Sequence, residues 1–230
     1  MAHDATLVCV LGADTGVGKT TVTRLLLAHA RSRGLSAVGL KPFSSGGRQD
    51  AIALRDCLHG SVEPSLQQIN PWHQEEPLAP LLAARRSGQP SPQLEQVLNW
   101  IRDHRLRYQI VLVEGVGGLL TPIAETFSML DVVEELGSTL VVVVRNRLGA
   151  INQARLCYEV SAKSRLEQCF VILSGVKEGD ISVKTNLEAS QEFCPRWTAL
   201  DIPFEGEIHA EGLGFRTIAK KFEKTLAQIF

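Results

Sequence analysis

What this sequence lacks narrows it first. Neither charge sign dominates: 24 Lys and Arg stand against 25 Asp and Glu, a net charge of −1. Broad electrostatic attachment to nucleic acid or an anionic membrane needs clustered positive charge, so both partners are excluded as expectations. No apolar run is long enough to span a bilayer; the strongest, Leu140 to Val144, has five residues. The first residues, MAHDATLV, hold no basic region followed by an apolar stretch and do not read as a secretory signal. The five cysteines (Cys9, Cys57, Cys157, Cys169, Cys194) are odd in number, widely spaced and free of C-x-x-C. That excludes a disulfide framework and a zinc site, and a reduced cytoplasmic compartment is the natural expectation. The six histidines show no metal-ligand spacing, and there is no serine nucleophile elbow.

What is present is ordinary globular material, 44% hydrophobic over 230 residues, enough for one domain spanning 1–230. Strands read at Thr6–Leu11 and Ala37–Lys41; Tyr108–Val113 and Thr139–Val144 are apolar runs without alternation, the mark of strands buried on both faces, and Cys169–Leu173 is another buried strand. Amphipathic segments between them read as helices: Gly18–Arg33, Gln49–His59, Leu78–Arg86, Phe127–Leu136, Ala150–Ser164 and Phe215–Ile229. A further helix opens at Ser91-Pro92, with Ser as N-cap and Pro in the first helical position. Six of the ten prolines fall between Pro64 and Pro92, a segment expected to be a substrate-side loop or lid. Residues 177–201 are polar and fit no element. The expected fold class is α/β, three layers, with a mostly parallel sheet flanked by helices, of the phosphate-loop NTPase type.

Four segments carry chemistry. GADTGVGKTT, Gly12 to Thr21, follows a strand and opens a helix. The strict phosphate-loop pattern wants Gly where Ala13 stands. Gly16 and Gly18 still let the backbone curl N–H groups around an anion, and the helix N-terminus adds its positive end. Lys19 can reach the outer phosphates and Thr20 can ligate Mg²⁺. VEGVGG places Glu114 at a strand end, suited to hold a metal, with Gly115, Val116 and Gly117 behind it; an ordinary strand-end acid is the bland alternative. LKPFSSG puts Lys41 and Ser45 after the second strand, with Asp50 close by as a third metal carboxylate. A solvated lysine and a helix N-terminal acid are the bland readings there. RNRLGAIN lacks the closing Asp of a guanine reader, and its Gly149 and the following helix start form a second anion site or a plain tight turn. Ligands of open parallel sheets lie beyond the carboxyl ends of the strands, so these segments should converge on one crevice. For Trp72 and His73, packing is the safer reading.

GADTGVGKT, GLKPFSSG, QDAIAL, VEGVGGLLTP and RLGAIN, in this order, resemble the dethiobiotin synthetase family, over about four fifths of the chain. The resemblance implies ATP-dependent carboxylation of 7,8-diaminopelargonic acid and closure of a ureido ring, with CO2 and ATP as co-substrates, Mg²⁺ and a homodimer. It implies that Lys19 and Lys41 neutralise the phosphates and the carbamate, with Thr15 beside the γ-phosphate. Gly16, Val17, Gly18, Lys19, Thr20, Thr21 and Glu114 to Gly117 would hold the nucleotide. Thr20, Asp50 and Glu114 would bind Mg²⁺. Ser45, Thr15, Lys41 and the segment Gly149, Ala150, Ile151 and Asn152 would hold the diamine substrate, the last across a dimer interface. The chain departs from the family at Gly16, where an acid is frequent, and near Glu207 to Gly212. It departs again at Ser174 and Gly175, which replace an adenine-reading Asn-Asp pair. A partitioning-type ATPase, whose signature lysine is replaced here by Asp14, and a catalytically degenerate nucleotide-binding protein remain as alternatives.

Overall fold

Runs of Val, Leu and Ile can be buried on both faces only if helices cover both sides of their sheet, and the chain arranges them so. In the computed structural model, residues 5–58, 64–164, 166–175, 179–203 and 219–229 are described. The strands are β1 (Thr6–Gly12), β2 (Ala37–Leu40), β3 (Phe43–Ser45), β4 (Trp72–Gln74), β5 (Ile110–Glu114), β6 (Thr139–Arg145), β7 (Cys169–Ser174) and β8 (Thr198–Ile202). The helices are α1 (Lys19–Ser32), α2 (Gln49–Asp56), α3 (Leu66–Ile69), α4 (Pro80–Ser87), α5 (Leu94–Arg105), α6 (Met129–Leu136), α7 (Ala150–Ser161), α8 (Asn186–Phe193) and α9 (Glu223–Leu226). Six strands form one sheet in the order β2-β5-β1-β6-β7-β8, every pair parallel.

Alternate residues of β1 serve opposite layers. Leu7, Cys9 and Leu11 pack with Val97, Leu98 and Ile101 of α5, Val132 and Val133 of α6, and Ala154 of α7. Val8 and Val10 pack with Val22, Leu25 and Leu26 of α1 and with Phe222 and Leu226. The result is the expected three-layer α/β fold. Because β1 lies between β5 and β6 while the chain first runs out to β2, the strand order reverses beside β1, and crevices of such sheets open there.

Several boundaries differ from the sequence reading, each for a local reason. The helix expected from Ser91-Pro92 begins at Leu94, because the Gln96 side chain accepts the Gln93 backbone N–H at 2.8 Å and caps it there. Tyr108 belongs to the end of α5's turn, its N–H on His104 O, so the strand starts at Ile110. Likewise Asp131 accepts the N–H of Ser128 at 2.7 Å and starts α6 at Met129. Helix α7 stops at Ser161 rather than Ser164. The unassigned polar stretch folds as a 3-10 turn over Ile181–Lys184, then α8 and β8. Of the expected terminal helix, residues 215–218 lie outside the described ones, as does the expected end of α2 at position 59. The Pro-rich segment contains α3, β4 and α4, and β4 pairs in parallel with β3 in a second, two-stranded sheet.

Leu112, fully buried in β5 between the central strand and the edge, tests the core. Leu112→Ala should lower unfolding stability by about 3 kcal/mol, the lost transfer energy plus a cavity between close-packed layers. Urea denaturation should show the midpoint falling with an unchanged slope.

Candidate active site

The loop after β1 closes where side chains would prevent it. A Cβ on Gly12 would stand 2.9 Å from Lys19 Nζ and 2.8 Å from the Asp14 carbonyl, so only glycine lets the turn wrap the lysine. Gly18, at φ 102, would drive a Cβ into Ser174 Oγ. It is also the residue before α1, and no side chain caps that helix, which leaves the first-turn N–H groups facing the loop. Lys19 is buried and donates to the carbonyls of Asp14 and Gly117, each at 2.8 Å. Burial and the neighbouring ammonium of Lys41 pull its pKa down to about 8, against weaker support from Glu114, Asp50 and Asp14.

Beside it lies a second cluster. Lys41, 2% exposed, donates from Nζ to Glu114 Oε1 at 2.6 Å, Asp50 Oδ2 at 2.9 Å and Gly115 O at 3.0 Å. Three donors meet three acceptors, so the ammonium is fully used. Burial alone would lower the Lys41 pKa, but the adjoining carboxylates outweigh it and hold the value above the ordinary one. Burial would raise the Asp50 carboxyl, but Lys41 holds it below the ordinary range. Thr20 Oγ1 donates to Glu114 Oε1 at 2.7 Å. The other oxygen, Glu114 Oε2, is buried without a hydrogen-bond partner. With the Thr20 hydroxyl and the half-exposed Asp50 carboxylate, it completes a set of hard oxygen donors suited to a small divalent cation.

The structure thus joins Lys19, Thr20, Lys41, Asp50, Glu114, Gly115 and Gly117 by direct contacts. No hydrogen bond among the described residues joins the other sequence candidates to this cluster. Thr15 and Gly16 are exposed on the loop, with Val17 buried beneath. Ser45 ends β3, its hydroxyl buried without a partner. Gly149, at φ 95, precedes α7; Ala150 is fully buried, its N–H on Arg147 O, and Asn152 is exposed. Ser174, fully buried with its hydroxyl unpartnered, stands beside Gly18, and Gly175, at φ 77, lies against the Arg145 guanidinium. The segment Glu207 to Gly212 lies outside the described residues. Trp72 packs as expected, stacked on Phe43 with ring centroids 5.3 Å apart and edge-on to Trp100. Sequence reasoning passed over Asn70, Ser44 and Arg48: the last two donate to Asn70 Oδ1, and Asn70 donates to the Lys41 carbonyl. The available signal was a lone Asn-Pro step closing the short helix α3.

The domain family described as "AAA domain" matches residues 6–211. An ATP-dependent dethiobiotin synthetase of Anaeromyxobacter dehalogenans (strain 2CP-C) is 37% identical over 218 residues, covering 92% of this chain and 96% of that protein. One of Corynebacterium diphtheriae is 33% identical and covers 90% of each. Among solved structures, the MinD cell division protein of Aquifex aeolicus aligns at TM-score 0.56 and 14% identity, over 96% of this chain and 97% of that one. ParA of pNOB8, solved on nonspecific DNA, aligns at 0.57 and 10%, over 98% and 96%. At such identities the two structures share the fold alone.

The buried pair at the centre of the site makes a stability prediction. Lys41→Met leaves the Glu114 carboxylate, 0% exposed, without its partner and should destabilise the protein by about 3–5 kcal/mol. The double variant Lys41→Met/Glu114→Gln removes the stranded charge and should recover at least half of that loss. Chemical denaturation of the two variants decides it; equal losses would show that the ion pair is not what holds the site.

Proposed function

The chain belongs to the dethiobiotin synthetase family, and from that membership we propose how this ATP-dependent ligase converts 7,8-diaminopelargonic acid to dethiobiotin. One observation carries the proposal. In a chain with these relatives, a buried ammonium, a loop lysine, a hydroxyl and two carboxylates meet at the carboxyl ends of β1, β2 and β5. A substrate amine adds to CO2 and forms a carbamate. A carbamate oxygen attacks the γ-phosphorus of ATP, and ADP leaves. The second amine then attacks the carbonyl carbon, the ureido ring closes, and phosphate departs. Each step gathers negative charge at one place, where fixed positive groups stabilise it most.

Within this reading, the amides of Gly16 to Thr21 and the Lys19 ammonium hold the triphosphate, with Glu114 to Gly117 beside it. Ser174 and Gly175 flank the nucleotide end of the crevice. Lys41 and Thr15 serve the γ-phosphate and carbamate. Ser45 and the segment Gly149 to Asn152 hold the diamine, the latter from a second copy in a homodimer. Thr20, Asp50 and Glu114 would bind Mg²⁺, which when bound neutralises phosphate charge; the unpartnered Glu114 Oε2 fits that role. Among the described residues no helix is long and apolar enough to cross a membrane. The direct test is ATP-dependent fixation of labelled bicarbonate into the diamine. Formation of dethiobiotin is expected, whereas nucleotide binding without product would favour a degenerate nucleotide-binding protein.

Two further outcomes follow. Thr20→Val should weaken Mg²⁺·ATP binding more than metal-free ATP binding, because the hydroxyl acts through the metal while loop amides grip phosphate directly. Calorimetry with and without Mg²⁺ separates the two, and equal losses would remove Thr20 from the metal set. Lys19 gives a pH signature. Its pKa of about 8 in the free protein should rise when phosphate arrives, so binding takes up a proton. Lys19 is charged below that pH, and affinity should fall as pH climbs through about 8, by up to about tenfold per unit. Titrations at pH 9 in buffers of different ionisation enthalpy should report that uptake.

A further inference from the structure

A hydrogen-bonded chain outside the contacts above ends on the backbone of Lys41. Asn70 is completely buried, in the turn between α3 and β4. Its Nδ2 donates to the Lys41 carbonyl at 2.6 Å and more distantly to Pro42 O at 3.4 Å. The preceding residue holds the other backbone group: Lys41 N–H donates to Ile69 O at 3.1 Å. Both peptide groups of the lysine are therefore gripped by two consecutive residues. The grip is continued by Trp72 N–H on Pro42 O and by the β3–β4 pairing.

The direction of the chain is fixed by donor counting. Arg48 Nε, which can only donate, reaches Asn70 Oδ1 at 2.9 Å, so that atom is the amide oxygen and the nitrogen faces Lys41. Ser44 Oγ also lies 2.9 Å from Oδ1 and 2.9 Å from His73 Nδ1. The hydroxyl has one proton, and it must go to Oδ1, an acceptor only. His73 Nδ1 is then the protonated nitrogen and donates to Ser44. This holds for the neutral ring in that tautomer and for the imidazolium alike, so the chain His73→Ser44→Asn70→Lys41 does not depend on the charge of His73. Arg48 further anchors the turn by donating to Asn70 O at 2.7 Å.

We propose that Asn70 is a positioning residue for Lys41, its amide locked by Arg48, Ser44 and His73 so that the Lys41 backbone, and hence its ammonium, is fixed against Glu114 and Asp50. This rests on the role given to Lys41 under the proposed function. The Lys41 stem is buried and its ammonium is held by three acceptors, so a shift of its backbone strains that geometry, and displacement of a reacting-centre charge by about 1 Å costs up to about a hundredfold in rate. Among the described residues no hydrogen bond joins the phosphate loop to Asn70, and the loop amides with Lys19 would grip the inner phosphates without Lys41, so binding of metal-free ADP is separable.

Asn70→Asp tests this, since the carboxylate still accepts from Arg48 and Ser44 but cannot donate to Lys41. With Mg²⁺·ATP, bicarbonate and 7,8-diaminopelargonic acid, kcat should fall at least about tenfold while the equilibrium Kd for metal-free ADP, which lacks the γ-phosphate that Lys41 serves, stays within twofold. Arg48→Met, at a half-buried position, frees the amide to flip and should lower kcat by a smaller factor, again without moving the Kd for metal-free ADP; it carries the test if Asn70→Asp does not fold. Either variant folded with kcat within threefold in the case of Asn70→Asp, or unchanged in the case of Arg48→Met, overturns the proposal. So does a parallel loss of kcat and metal-free ADP affinity, which a merely structural role would produce. Failure of the proposed function is distinguishable: wild-type protein that makes no dethiobiotin overturns that reading and this one together, whereas an active wild type with unaffected variants overturns only the positioning.

Discussion

The contact between Lys41 and Glu114 is the constraint from which the site follows. Neither charge can be left alone at 2% and 0% exposure, because an unpaired buried ion costs several kcal/mol. The two side chains come from the ends of β2 and β5, neighbouring strands in the sheet, so their pairing depends on the parallel register that sets Leu40 opposite Val113. Glu114 in turn receives the Thr20 hydroxyl, tying the start of α1 to the same point. A single carboxylate oxygen thus links an edge strand, an inner strand and the first helix. The second oxygen is left without a partner, which is costly in a resting protein and useful in one that binds a cation.

Next to this pair the glycine loop solves a different problem. It must hold Lys19 close while leaving backbone N–H groups turned toward an incoming anion. The lysine bridges Asp14 and Gly117, so the loop after β1 and the loop after β5 are joined through one ammonium. Burial first, and then the nearby Lys41 ammonium, disfavour the charged form of Lys19, and its lowered pKa records both. Added negative charge relieves the strain. A site built in this way favours a polyanion over a neutral ligand, as the proposed chemistry with ATP and a carbamate requires.

The tertiary structure also changes the meaning of the proline-rich segment. Sequence suggested a loop or lid over the substrate. In the fold it contributes β4 to a small sheet and sends Asn70 and the Ile69 carbonyl under the Lys41 backbone. The sequence reading missed this because a short three-residue strand carries too little periodicity to register, and because burial of an asparagine depends on partners twenty or more residues away.

By itself the sequence determined the α/β class, the five principal strands and the phosphate-type loop, since each is written in local spacing: unbroken apolar runs, glycines before a Gly-Lys-Thr, a helix behind them. It also marked Lys19, Lys41, Glu114 and Asp50, because strand ends in parallel sheets face one crevice. It could not decide that Lys41 is buried rather than solvated, nor that one Glu114 oxygen is shared by a lysine and a threonine while the other stays unpaired. Nor could it find the chain from His73 to Lys41, or the helix and strand within 177–201. Those facts depend on which side chains from distant segments share a volume of low dielectric, and only the packing of three layers settles that.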